Sequence, residues 1–176
     1  MRGMAAGLAL LAAVAQAQTR YEGLCDASAA IALDARHFIV ADDEHNRLTI
    51  YQRGVPKPVR EVELGAFLRA EKESDLEGAA RVGERIYWIA SHARNSAGKR
   101  REDRHRFFAT AIEGATVKPV GAPYTALLDD LLASPALAGL PLAEAARLPA
   151  EAPGGFNIEG LATAPDGSLL IGLRNP

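Results

Sequence analysis

Three glutamates stand at similar places in this 176-residue chain. Glu22, Glu77 and Glu159 are each followed by a glycine and an apolar residue, and each precedes a pair of strand-like runs. If a repeating fold brought all three to one place, their charges would repel and their pKa values would rise unless a cation joined them. Oxygen-only ligands of this kind suit calcium or magnesium. The competing reading gives each glutamate a repeat-locking task, satisfying backbone amides or a neighbouring arginine while the glycine permits a close turn. A second set lies at the far end of each hairpin: Asp42, Asp43, Glu44 and His45, then Ser91, His92, Arg94 and Asn95, then Arg174 and Asn175. There Arg94 and Arg174 could grip an anionic group by forked hydrogen bonds while His92 exchanges protons. Alternatively Asp, Asn and Ser are turn formers and the arginines pair between repeats.

Other chemistry is unsupported. No G-x-S-x-G elbow or Ser-His-Asp order is present, and neither H-x-x-x-H nor paired-cysteine metal spacing occurs. The lone Cys25 cannot form an internal disulfide and is expected to be a small buried residue.

The elements that must position these residues are hairpins. Glu22-Gly23-Leu24 leads through the turn at Asp34-Ala35-Arg36 to His37–Asp42, and Glu77-Gly78-Ala79 leads through Val82–Arg85 to Ile86–Ser91. Glu159-Gly160-Leu161 leads through Pro165-Asp166-Gly167 to Ser168–Leu173. Short β-rich runs bounded by such turns read as strands. Further strand-like runs follow the first two hairpins, at 47–51 and 59–64 and at 106–112 and 116–120, the last weakened by Pro119. The pattern predicts an all-β, propeller-like array of four-stranded antiparallel blades, about two and a half of them in residues 18–176, with the C-terminal part of the domain missing. Residues 124–148 break the pattern as a helical insertion: Leu127, Leu128, Leu131 and Leu132 share a helical face, and Pro141 opens a second turn. Such an insertion could fill a loop, cap a channel or carry a protein partner. The charge run Lys99–Arg106 reads as a solvated hairpin loop.

Residues 1–17 read as a signal peptide: Arg2, an apolar run from Met4 to Ala15, and Ala15-Gln16-Ala17 as the cleavage site. The run is too short to span a bilayer permanently, so a periplasmic or secreted protein without a membrane span is expected after processing. The chain carries 20 basic and 22 acidic residues, and Arg2 is the one charge in the leader, so the processed chain holds 19 against 22. That mildly acidic balance gives no reason to bind nucleic acid.

The strings YEGLCDASAAIALDARHFIVADDEHNRLTIY, SDLEGAARVGERIYWIASHARNSAGK and FNIEGLATAPDGSLLIGLRNP resemble the bacterial exported family called domain of unknown function 3616. The resemblance implies a β-propeller in a longer chain and no defined reaction, with a distant likeness to phytase-like and esterase-like secreted propellers. Three functions follow as expectations. The first is binding of a small anionic ligand or a cation, calcium being the candidate cofactor, with Asp42, Asp43, Arg94, Asn95, Arg174 and Asn175 as ligand contacts. The second is metal-assisted ester hydrolysis with Glu22, Glu77 and Glu159 as metal ligands and His92 as catalytic group. The third is a protein-interaction scaffold.

Overall fold

Two four-stranded antiparallel meanders follow one another along the chain, in the order in which their strands occur. The computed structural model describes residues 18–175, so the leader expected at 1–17 lies outside the described residues. The first sheet comprises β1 (Ala27–Ala32), β2 (His37–Asp42), β3 (Arg47–Gln52) and β4 (Arg60–Glu63). The second comprises β5 (Leu76–Val82), β6 (Arg85–Ala90), β7 (Phe107–Glu113) and β8 (Thr116–Tyr124). A third, two-stranded sheet pairs β9 (Asn157–Thr163) with β10 (Leu169–Asn175).

The turns follow from side-chain chemistry. Asp34 Oδ1 accepts from the backbone N–H of Arg36 and His37 at 2.6 and 2.8 Å, and Asp166 Oδ1 accepts from Ser168 N–H at 3.0 Å. Both are local aspartate turns that compete successfully with strand continuation. The inner strands β2 and β3 each bury four of their six residues, whereas β1 is half-buried to exposed and β4 is largely exposed. Their unbroken apolar runs reflect a sheet covered on both faces. β8 is longer than its proline allowed one to expect, running nine residues, but it sits at the sheet edge, where the missing N–H groups of Pro119 and Pro123 cost no second ladder.

One core lies between the first two sheets and contains Ile39, Leu48, Ile50, Leu76, Ile86, Trp88 and Phe108. Trp88 is fully buried, and its indole N–H donates to Thr110 Oγ1 at 3.0 Å, so the largest apolar group in the core carries no unpaired donor. Each fully buried side chain of this size contributes roughly 1.5–3 kcal/mol. The first strands of the three sheets pack side by side, β1 on β5 and β5 on β9. Arg81 donates to the carbonyls of Ala32 and Leu33 at 3.0 Å, and Thr163 Oγ1 donates to Arg81 O at 3.0 Å, tying the three together.

The helical insertion is shorter than expected: α2 spans Leu127–Ala133 and α3 spans Leu142–Ala145, after α1 (Gly65–Leu68) between the first two sheets. Leu127, Leu128 and Leu131 join a second core with Ile89, Leu142, Ala145, Phe156 and Ile158, while Leu132 is 39% exposed. Two further sequence expectations fail. Cys25 is exposed, because it precedes β1 instead of lying within it. The charge run is not solvated throughout: Lys99, Arg100 and Glu102 are exposed, but His105 and Arg106 are buried. The Arg106 guanidinium donates to the carbonyls of Leu68, Arg69, Glu102 and His105, fastening the β6–β7 connection to α1. No helix among the described residues is long and apolar enough to cross a membrane.

Candidate functional site

Each first strand carries one bulged residue near its start. Ser28 falls between the pairs Ala27↔Asp42 and Ala29↔Ala41. Glu77 falls between Leu76↔Ala90 and Gly78↔Ile89, and Glu159 between Ile158↔Leu173 and Gly160↔Gly172. A bulge leaves its residue unpaired and re-aims the side chain. All three residues line one cavity of about 220 Å³ together with the two residues that follow each of them. The register therefore equates Glu77 and Glu159 with Ser28, and the expected trio with Glu22 is corrected. Glu22 sits before β1 and is exposed; its N–H donates to Pro56 O at 2.9 Å and its carbonyl accepts from Tyr51 Oη at 2.6 Å. Tyr21 packs edge-on to Phe38 and Tyr51, which pins this segment against β2 and β3, and Gly23 adopts φ +89°, a turn conformation.

At the same end of the strands lies a polar cavity of about 530 Å³, walled by Asp26, Asp43, Asp75 and Arg104 among others. Carboxylate oxygens of Asp43, Asp75 and Glu77 all lie within 4.8 Å of one another. Asp43 follows β2 and Asp75 precedes β5, so adjacent sheets bring them together. Of the three acids Asp75 alone meets an arginine among the described residues: Arg104 NH1 lies 2.9 Å from Asp75 Oδ2 and also reaches Glu73, which Arg101 holds at 2.8 Å. Asp43 Oδ1 is buried without a hydrogen-bond partner among the described residues. The electrostatic consequence is strong. Burial, then the charges of Asp75, Glu159 and Asp43, push the Glu77 carboxyl up to about 8 against the opposing pull of Arg104. Burial and the neighbouring Asp26 and Asp75 raise Asp43 as well. Oxygen donors this crowded and this poorly neutralised match the preferences of a hard divalent cation.

The remaining predicted residues are dispersed. Asp42 is fully buried; its Oδ1 accepts from Glu44 N–H at 2.9 Å and lies 3.0 Å from His45 Nδ1, while Oδ2 has no partner among the described residues. Asn95 shapes a turn, its Oδ1 accepting from Lys99 N–H at 2.8 Å. Arg94 donates to Ala146 O and Gly98 O, whereas Arg174 pairs with Glu159 at 3.2 Å on the neighbouring strand. Among the described residues the two arginines share no partner. Asn175 pairs in register with Asn157 at the end of the third sheet.

Asp75, Glu73 and Arg104 escaped sequence reading. Asp75 stands two residues before Glu77, the spacing that puts two side chains on one strand face, and was the available signal. Its positive φ of 58° was not foreseeable from an aspartate in a charged stretch.

No family model matches the chain. No curated protein matches it either. Among solved structures it is similar to the extracellular domain of BT4673 from B. thetaiotaomicron, named in one case as a hybrid two component system and in another as a one component system. In both cases identity is 10%, the TM-score is 0.40, and the match covers 85% of this chain. This chain spans 14% of the length of that one.

Proposed function

We propose that the protein is an exported, propeller-like binding protein whose first-strand face holds a divalent cation of the calcium type through Asp43, Asp75 and Glu77. The observation carrying this reading is the convergence of three carboxylates within 4.8 Å against a single contacting arginine. A cation bound there would supply the missing positive charge, stabilise the ionised form of Glu77 and give Asp43 Oδ1 a partner. The propeller reading draws on the side-by-side packing of the first strands and on the bulge repeated at Ser28, Glu77 and Glu159. Export draws on the leader-like residues 1–17, and the likeness to the exported family of unknown function 3616 points the same way.

The test is thermal unfolding of the full chain in chelator and in millimolar calcium. Stabilisation of roughly 2.7 kcal/mol is expected when calcium reaches a hundred times its dissociation constant. Asp75→Asn and Glu77→Gln should each abolish most of it. Glu22→Gln should leave it intact, because Glu22 stands away from the cluster. A melting temperature indifferent to calcium, or equal loss in Glu22→Gln, would refute the assignment.

A further inference from the structure

A second cleft, separate from the acidic one, opens where the β6–β7 connection meets the helical insertion. It holds about 180 Å³, and its walls include His92, Arg94, Arg100, His105, Asp129 and Arg147. The insertion is fixed over the connection by Arg94 donating to Ala146 O at 2.8 Å and by a backbone bridge between Arg94 and Pro149. The cleft is thus a built feature of the fold.

His92 is its distinctive wall residue. Only 2% exposed, it sets Nδ1 2.8 Å from Ala90 O. A carbonyl can only accept, so Nδ1 carries the proton and Nε2 presents a lone pair. That Nε2 is buried and has no hydrogen-bond partner among the described residues. Burial, with His105 and Arg106 nearby, lowers the His92 pKa to about 4, so the ring stays neutral and Nε2 stays an acceptor near pH 7. A buried acceptor left unmatched is costly, and a ligand hydroxyl is the donor that would satisfy it. Around it the charged groups sum to positive. Arg94 spends Nε and NH1 on carbonyls, and Arg100 meets Glu102 at 2.7 Å. Arg147 is exposed at the rim, and Asp129 is the one acid among the six.

We propose that this cleft binds a small hydroxylated anion, its hydroxyl donating to His92 Nε2 and its anionic group meeting Arg100 and Arg147. The volume of about 180 Å³ suits an acid of a few carbons. A carboxylate and a phosphate monoester offer the same chemistry to the arginines.

Titration calorimetry on the full chain tests this with glycerate and glycerol 3-phosphate, which differ in the anionic group, and with propionate and glycerol, which each lack one element. Glycerate or glycerol 3-phosphate should bind at least tenfold more tightly than both controls, and the tighter of the two identifies the anion. Arg147→Ala, at an exposed position, should weaken binding about tenfold. Ala143→Trp, also exposed on the cleft wall, should block it without touching the core. His92→Phe should bring glycerate down to the level of propionate. Should His92→Phe fail to fold, the Arg147 and Ala143 variants still decide the matter. Absence of binding by either hydroxylated anion at ten millimolar, propionate binding as well as glycerate, or binding unchanged in Arg147→Ala and Ala143→Trp would each overturn the proposal.

Discussion

A Glu-Gly step opens each of the three hairpins, yet alanine in place of its glycine is expected to act with opposite sign in two of them. At Gly78 a Cβ would stand 2.7 Å from Leu161 N, 2.9 Å from Gly160 C and 2.9 Å from Ile89 Cγ2. Two of those atoms are backbone of β9, which cannot rotate away, so β5 and β9 must separate or the bulge at Glu77 must deform. Overpacking of this kind costs roughly 1–3 kcal/mol, and contact with backbone places it at the upper end. Glycine replacement recovers only about 0.4–1 kcal/mol from the unfolded chain. The net expectation for Gly78→Ala is a loss of about 2 kcal/mol, which lowers Tm by roughly 4–8 °C in a chain of this size. Gly160 faces nothing nearer than Gly172 Cα at 3.9 Å, so Gly160→Ala should gain about 0.5 kcal/mol through the unfolded-state term alone. Urea unfolding followed by Trp88 fluorescence suits the comparison, since Trp88 is the single tryptophan and is fully buried beside β5. Equal stability of Gly78→Ala and wild type, or an equal loss in Gly160→Ala, would show that the first strands do not pack as closely as described.

Two further outcomes follow. Arg106→Ala removes donors from four backbone carbonyls at a site only 7% exposed and should cost about 3 kcal/mol in urea unfolding; Arg106→Lys, lacking the planar fork, should recover less than half. His92 is held neutral in the fold, so stability present above pH 6.5 is lost as pH falls toward 4, by roughly 3 kcal/mol from this group. His105, whose pKa burial also lowers, acts in the same direction. His92→Gln should lose about that much less than wild type between pH 7 and pH 4 in urea titrations, and parallel losses would contradict a buried neutral imidazole.

The hairpins were legible because their signals are local. Asp34, Asp166 and the glycines of the turns act within three residues, and alternation or continuous apolar runs report burial strand by strand. The acidic site was only half legible. Glu77 and Asp43 were singled out, but for different clusters, and Asp75 and Arg104 were missed because their meeting depends on how the second sheet stands against the first. The partners of Arg94 and Arg174, Ala146 O and Glu159, were not legible for the same reason.

Composition and periodicity were enough to establish an antiparallel β architecture with a helical insertion and a mildly acidic surface. They could not place the repeats in register. Glu22 matches Glu77 and Glu159 in tripeptide composition, but strand pairing equates those two with Ser28, six residues later. Register is decided by the packing of Tyr21 on Phe38 and Tyr51 and by ladder hydrogen bonds between residues far apart in the chain, and a one-residue slip would turn every side chain to the other face. The chemistry of the Glu-Gly step belongs to the bulge it occupies, and a bulge exists only once two strands have paired.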